Sequence, residues 1–173
     1  MVNPVFNIAS FYFGWFVCLF GVTQGLPWLG TAIMAALITV HILLVDKPRR
    51  ELMLIVIVCL FGTALDSILM ISGLYLFAYH TNPFICPSWM TALWAGFAST
   101  LNHSMRWMNG RYLLGAIFGA IGGPVSYYAG LRLGAVNFLQ PFWFTIASLS
   151  VLWSLIVPSC LWCARNTGRL TRH

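Results

Sequence analysis

The sequence predicts an all-α integral membrane protein, a bundle of six transmembrane helices with both termini in the cytoplasm. Of its 173 residues, 60% are hydrophobic and only 7% are charged. A soluble domain carries about 25% charged residues, so this chain cannot cover a water-facing surface. Its basic residues also fall in short clusters between apolar runs. These observations indicate one transmembrane domain over residues 1–173 without a soluble module.

The first two apolar segments end at residues that cannot continue a helix through lipid, where a crossing needs about 20 residues. Residues 6–22 stop before the turn-like Gln24-Gly25-Leu26-Pro27, and residues 28–45 stop at the charged stretch 46–51. No basic stretch precedes the first segment and no A-x-A-like site follows it. We therefore expect this segment to remain as a helix and not to be cleaved as a signal peptide.

The other four segments complete the prediction of six spans. Residues 52–79, closed by His80-Thr81-Asn82-Pro83, are longer than a span requires. Tilt, or an extension beyond the membrane, would absorb the extra length. The remaining predicted spans cover residues 89–105, 112–130 and 141–163.

The loop charges predict the orientation independently, because Lys and Arg favour cytoplasmic loops. With six spans and the N-terminus inside, only Arg132 lies outside, and eight basic residues lie in the cytoplasm: Lys47, Arg49, Arg50, Arg106, Arg111, Arg165, Arg169 and Arg172. The same clusters account for most of the net charge of +6. We expect them to contact anionic lipid headgroups, and we do not expect nucleic acid as a partner.

Asp66 is the acidic residue inside a predicted span, where a carboxylate is costly unless it is paired, protonated or hydrated. At 1.5 Å per residue it lies about 21 Å beyond Leu52, in the outer half of the bilayer. Trp94, Tyr127 and Tyr128 reach a comparable depth on the fourth and fifth helices. We therefore predict that these three residues and Asp66 form a ligand-binding pocket in the outer half.

Two roles for Asp66 stay open. As a functional acid it would carry protons, contact a polar ligand or act as general acid or base, which makes it the one candidate catalytic residue. As a structural residue it would accept a hydrogen bond from a Tyr hydroxyl or pair with Arg132.

The fifth helix contains glycines spaced four apart, at Gly115, Gly119 and Gly123. This spacing predicts a side-chain-free face for close helix packing, within the chain, in a homo-oligomer or against a partner protein. Gly122-Gly123-Pro124 also predicts a kink. A broken helix at this depth is typical of substrate or ion sites in transporters.

His41 and His103 lie near the inner surface and could meet over a lipid headgroup or a metal. Two histidines without a nearby intramembrane acid are a weak metal signal, so no metal site is assigned. Interfacial hydrogen bonding is one role that stays open. The other is binding of a lipid phosphate by His103 and Arg106.

The cysteines and the absent motifs identify no reaction. Cys160 and Cys163 have redox-motif spacing, but they lie at the end of a span and not beside a βαβ pattern, so helix-end packing is favoured. Walker A, H-E-x-x-H and G-x-S-x-G motifs are absent, as are paired intramembrane carboxylates. The sequence implies no cofactor.

Three segments resemble a family of small bacterial inner-membrane proteins designated as a domain of unknown function. They are FYFGWFVCLFG at residues 11–21, TALWAGFASTLNHSMRW at 91–107 and GAIGGPVSYYAGLRLGA at 119–135. The resemblance extends over nearly the whole chain. It implies a six-helix bundle in the bacterial inner membrane and an association with enzymes of membrane fatty-acid modification, but it supplies no catalytic residues.

Three functions follow from these observations. The first is an accessory or catalytic component of membrane-lipid or fatty-acid modification, with membrane lipids as partners. The second is a small proton-coupled transporter or permease that uses Asp66 and Pro124. The third is a non-catalytic scaffold subunit. The sequence leaves open whether the protein is an enzyme.

Overall fold

A computed structural model describes residues 2–170 of the chain and the side chains of residues 2–167. Arg172 and the side chain of Arg169 therefore lie outside the described part. The helices are α1 (Pro4–Thr23), α2 (Pro27–Leu44), α3 (Pro48–Ile71), α4 (Ser88–Thr100), α5 (Tyr112–Leu133) and α6 (Phe142–Leu170). Two short strands are β1 (Tyr75–Phe77) and β2 (Val136–Phe138), and a 3₁₀ turn covers Arg106–Met108.

The all-α prediction is confirmed at the level of the fold class. Within the described residues, every helix except α4 is long and apolar enough to cross a membrane, which gives five candidate spans. The number of these helices indicates a multi-pass membrane protein. Large apolar side chains cover its outer surface, as expected for lipid contact; examples are Phe16, Leu43, Leu60, Leu113 and Leu155.

Helix α1 is as apolar as α2 and α6, and the polar residues near its start are satisfied by hydrogen bonds. The Asn3 side chain caps its first turn by accepting a hydrogen bond from the Val5 backbone N–H at 2.8 Å. The buried Asn7 amide donates to the Ser99 carbonyl at 3.1 Å and accepts from the Ser104 hydroxyl at 2.7 Å. Both ends of this amide are therefore satisfied inside the bundle.

Helix α3 differs from the predicted third span at both ends. It begins at Pro48, because proline is favourable in the first turn of a helix, so Glu51 lies within α3 and not in the preceding loop. It ends at Ile71, and Gly73 then adopts a φ of +75° that glycine tolerates best. The residues up to position 79, predicted as helix, contain a turn and strand β1.

The two strands form an antiparallel ladder that sequence periodicity does not predict. Tyr75 pairs with Phe138 and Phe77 pairs with Val136. The ladder joins the α3–α4 connection to the α5–α6 connection, because each strand follows directly after a helix. Buried Tyr75 and Phe77 are thereby held against the ends of the helices.

Helix α4 is short and central. It spans 13 residues, about 20 Å at 1.5 Å per residue, which is shorter than the hydrocarbon core of about 30 Å. The predicted span 89–105 stops being α-helical after Thr100 and continues in turns. Most of its side chains are buried, and the helix contributes to both hydrophobic clusters of the core, Trp89 to one and Trp94 to the other.

Helices α5 and α6 pack closely through the predicted glycine face. A Cβ atom at Gly119 would lie 2.1 Å from the Trp153 carbonyl oxygen, and one at Gly115 would lie 2.8 Å from Leu161 Cδ1. The glycine face proposed for a homo-oligomer or partner is therefore covered by α6 of the same chain. Helix α5 also continues as one helix through Pro124, so the alternative of a broken helix at a transporter site is not observed.

Candidate functional site

Asp66 lies at the centre of a buried hydrogen-bond cluster. Its carboxylate is fully buried in α3. The Tyr75 hydroxyl donates to Oδ1 at 2.6 Å, and the Trp94 indole Nε1 donates to Oδ2 at 2.6 Å. The Tyr127 hydroxyl also donates to Oδ1. Three neutral donors thus satisfy the carboxylate without a cationic partner among them.

The predicted neighbours Trp94 and Tyr127 are brought to Asp66 as their depth suggested. Tyr128 is not: it is 40% exposed, and its ring contacts Phe142. Successive residues on a helix point about 100° apart, so only one of two adjacent tyrosines can face the core. Tyr128 therefore does not belong to the cluster.

Tyr75 is the member of the cluster that sequence reasoning missed. In the predicted continuous helix it would lie nine residues after Asp66, which at 3.6 residues per turn is about half a turn away from it. The helix ends at Ile71 instead, and strand β1 returns the Tyr75 ring over the carboxylate. Burial and then the adjacent Asp66 charge raise the pKa of Tyr75 well above its ordinary value.

Trp94 is held between two helices by shape as well as by its hydrogen bond. Its indole lies against Gly62, where a Cβ atom would be 1.9 Å from Cδ2. On its other side it stacks on Trp153, with ring centroids 5.1 Å apart and planes at 5°. Its N–H group is turned to Asp66, so both faces and the polar edge of the indole have partners within the bundle.

A cavity of about 370 Å³ adjoins this cluster, enclosed by α1, α4, α5 and α6. Trp94, Tyr127 and Trp153 line its inner side. Its lining is otherwise largely aliphatic and aromatic, and it includes Phe11, Leu93, Phe97, Phe118, Val125 and Val157. The Trp15 Nε1 donates to the Ser126 hydroxyl at 3.2 Å, which links α1 to α5 beside the cavity.

The cavity reaches the outer surface of the bundle between α1 and α5. The lining residues Tyr12, Phe118 and Val125 are 52%, 46% and 58% exposed, whereas Trp94 and Tyr127 at the inner side are buried. A second depression of about 540 Å³ lies along α3 and α6, but its wall includes the well-exposed Trp162. Of these two, the first cavity combines a surface opening with an inner side held by the Asp66 cluster.

A second polar cluster forms where α2 ends and α3 begins. His41 Nε2 and His103 Nε2 lie 3.2 and 3.3 Å from Glu51 Oε1. Asn102 donates to Glu51 Oε2 at 3.0 Å. The two histidines meet, as the sequence suggested, but the expectation that no acid lies near them was wrong, because the third helix begins earlier than predicted and carries Glu51 into the bundle.

Arg106 and His103, the predicted headgroup contact, lie in the turns that follow α4. The Arg106 side chain is exposed on the 3₁₀ turn, while that of His103 is directed inward to Glu51. Binding of a headgroup by His103 and Arg106 stays a prediction.

The sequence profile of a family described as a protein of unknown function, DUF2878, matches residues 4–159. The chain belongs to the DUF2878 family. This agrees with the resemblance to an uncharacterised family seen in the sequence. The chain matches no curated protein and no solved structure.

The geometry of this DUF2878 protein favours binding of an apolar group over acid–base chemistry at the cavity. Within the described part of the chain, the residues that line the cavity include no carboxylate, histidine, lysine or arginine. Asp66 lies behind the inner side and uses Trp94 and Tyr127 as donors. Cys160 and Cys163, the other candidate pair, are both free thiols on α6.

Proposed function

We propose that this DUF2878 protein binds the hydrocarbon part of a membrane lipid in the cavity between α1 and α5, as a component of membrane-lipid or fatty-acid modification. The observation that carries the proposal is the cavity itself, about 370 Å³ in volume and lined largely by aliphatic and aromatic side chains. This is within the range of ligand pockets, about 300–1,000 Å³. The opening at Tyr12, Phe118 and Val125 faces the surface that lipid would cover.

In this proposal Asp66 is a positioning residue. It fixes the inner wall of the cavity by accepting hydrogen bonds from Trp94 and Tyr127. Both donors would otherwise point into an apolar space, where an unmet polar group is costly. A proton-carrying role would instead require a water path to Asp66.

We further propose the bacterial inner membrane as the location, with six crossings and both termini in the cytoplasm. Residues 86–102 run beside residues 67–51 of α3: the Cys86 N–H donates to the Ser67 hydroxyl at 2.9 Å, and Asn102 contacts Glu51. This stretch of α3 measures about 24 Å. The parallel path supports counting the segment around α4 as a crossing, although the α-helix itself is short.

The test is photolabelling with a diazirine analogue of palmitic acid in vesicles of phosphatidylethanolamine and phosphatidylglycerol. Gly122 lines the cavity, and the nearest atom to a Cβ there would be Phe118 Cε1 at 3.8 Å, so Gly122→Leu adds side-chain volume at the cavity wall from a position where a Cβ is tolerated. Ile121→Phe is the matched control, because Ile121 is 62% exposed on the same helix and does not line the cavity.

We expect labelled peptides from the cavity faces of α1 and α5 in the wild type and in Ile121→Phe. In Gly122→Leu we expect that labelling to fall at least about fivefold, since the added side chain takes the space of the probe. Equal labelling of both variants, spread over the outer surface, would contradict binding in the cavity.

A deletion strain separates lipid binding from lipid metabolism. We expect one class of membrane lipid to change in abundance, and restoration by the wild type but not by Gly122→Leu. If labelling follows the cavity and the lipid profile stays constant, the protein binds lipid without taking part in its modification. Solute-dependent proton flux in proteoliposomes would favour the transporter instead.

A further inference from the structure

We propose that His41, Glu51 and His103 bind one divalent transition-metal ion, of the Zn²⁺ or Fe²⁺ class, at the end of the bundle where α2 turns into α3. One ligand atom from each residue lies within 4.8 Å of the other two. Two imidazoles and a carboxylate are a ligand set used by both zinc and non-haem iron sites. The inference is independent of lipid binding in the cavity.

The chain brings these residues together from three separate elements. His41 lies in the last turn of α2 and Glu51 in the first turn of α3, which follows after a short connection. His103 lies in the turns after α4. Because α4 runs antiparallel to α3, its end returns to the level of Glu51.

The spacing of the donor atoms fits a common ion. Ligands about 2.0–2.1 Å from a tetrahedral ion lie about 3.3 Å from one another. The two Nε2 atoms are 3.2 and 3.3 Å from the same oxygen, Glu51 Oε1. The imidazole rings stand nearly perpendicular, at 89°, with centroids 4.7 Å apart, so both can approach one point from different sides.

His103 supplies a second, independent observation. Its Nε2 atom is buried and has no hydrogen-bond partner among the described residues, although it lies 3.3 Å from the carboxylate oxygen. A buried ring nitrogen without a hydrogen-bond partner costs free energy that side-chain packing alone does not recover. A metal ion between the three side chains would use this nitrogen.

The residues around Glu51 hold its carboxylate in place, and its burial requires a compensating positive charge. Asn102 donates to Glu51 Oε2 and leaves Oε1 to the histidines, as outer-sphere groups do at metal sites. Glu51 is only 4% exposed. Within the described part of the chain, it lies at ion-pair distance from His41 and His103. Either a proton on a histidine or a metal ion can supply the compensating charge.

The experiment measures metal binding by the full-length protein, purified in detergent through a tag without histidine and stripped with EDTA. Zn²⁺, Fe²⁺ under anaerobic conditions, or Mg²⁺ is added, and bound metal is counted by inductively coupled plasma mass spectrometry after desalting. Thermal unfolding is recorded with and without each ion. We expect about one Zn²⁺ or Fe²⁺ per chain, a higher Tm with the bound ion, and no retained Mg²⁺.

Variants localise the ion. We expect His41→Gln, Glu51→Gln and His103→Gln each to lose the bound metal and the rise in Tm. Asn102→Ala should weaken affinity about tenfold, as for other outer-sphere changes. His80→Gln is the matched control, because His80 is on the α3–α4 connection and bonds the Phe77 carbonyl. This variant should bind as the wild type does.

Metal content below about 0.1 per chain in the wild type, with no change in Tm on adding Zn²⁺ or Fe²⁺, would overturn the proposal and leave a protonated histidine as the compensating charge. Loss of metal from His80→Gln to the same extent would overturn the location. The metal content and Tm of the wild type decide whether an ion binds, so a variant that fails to fold does not affect that result.

Discussion

Asp66 and Asn7 are polar side chains buried among apolar helices, and each is compensated by partners distant in sequence. Asp66 accepts hydrogen bonds from residues on β1, α4 and α5, while Asn7 joins α1 to Ser99 and Ser104. In hydrocarbon, an unmet polar group costs several kcal/mol. These two residues therefore fix which helices are neighbours.

The adjacent tyrosines of α5 give the test at this scale. Tyr127→Phe removes one donor from Asp66 and should lower the free energy of unfolding by about 1–3 kcal/mol. Tyr128→Phe should change it by less than about 0.5 kcal/mol, because Tyr128 is partly exposed and outside the cluster. Unfolding in detergent against denaturant measures both. An equal loss from the two variants would contradict the assigned geometry.

At the scale of elements, the close approach of α5 and α6 depends on single glycines. Gly119 and Gly123 both face Trp153, one against its carbonyl oxygen and the other against its ring. A side chain at either position would push the helices apart. The same contact holds Trp153 against Trp94, so the α5–α6 pair supports the inner side of the cavity.

Alanine substitutions at two nearby glycines of α5 should therefore have different effects on the free energy of unfolding. Gly119→Ala places a Cβ 2.1 Å from backbone and should destabilise the protein by about 1–3 kcal/mol. Gly122→Ala meets no atom closer than 3.8 Å and should be neutral or stabilising by up to about 1 kcal/mol, since alanine is the better helix former. The Tm of each variant in the same detergent is the measurement. Equal losses would show that the helices do not meet at Gly119.

For the whole molecule, the basic residues and α4 together determine the expected topology. Arg50, in the first turn of α3, donates to the Ala164 carbonyl at 3.2 Å, which joins the start of α3 to the C-terminal part of α6. These two basic regions therefore lie at the same end of the bundle. An even number of crossings between them agrees with the charge pattern.

Reporter fusions test that topology. An alkaline phosphatase domain, active only outside the cytoplasm, should be active after Asn82 and inactive after Lys47, Gly110 or the last residue, because basic loops are retained inside. A fluorescent protein at the same positions should give the opposite pattern. Phosphatase activity after Gly110 would mean that the segment around α4 does not cross the membrane.

The sequence by itself determined the class of protein, most of the helix positions and the similar depth of Asp66, Trp94 and Tyr127. Apolar length and loop charge are local properties, and the constant rise of a helix converts residue number into depth. It also indicated the close packing that Gly119 makes with α6.

Only the tertiary structure decided which apolar residues face lipid and which face protein. Lipid tails are as apolar as a helix core, so hydropathy cannot distinguish the buried α4 from a lipid-exposed span. Tyr75 and Glu51 reached their sites because α3 ends and begins elsewhere than its apolar run. Helix ends are set by proline, by glycine and by contacts from distant segments, and those contacts form only when the bundle is assembled.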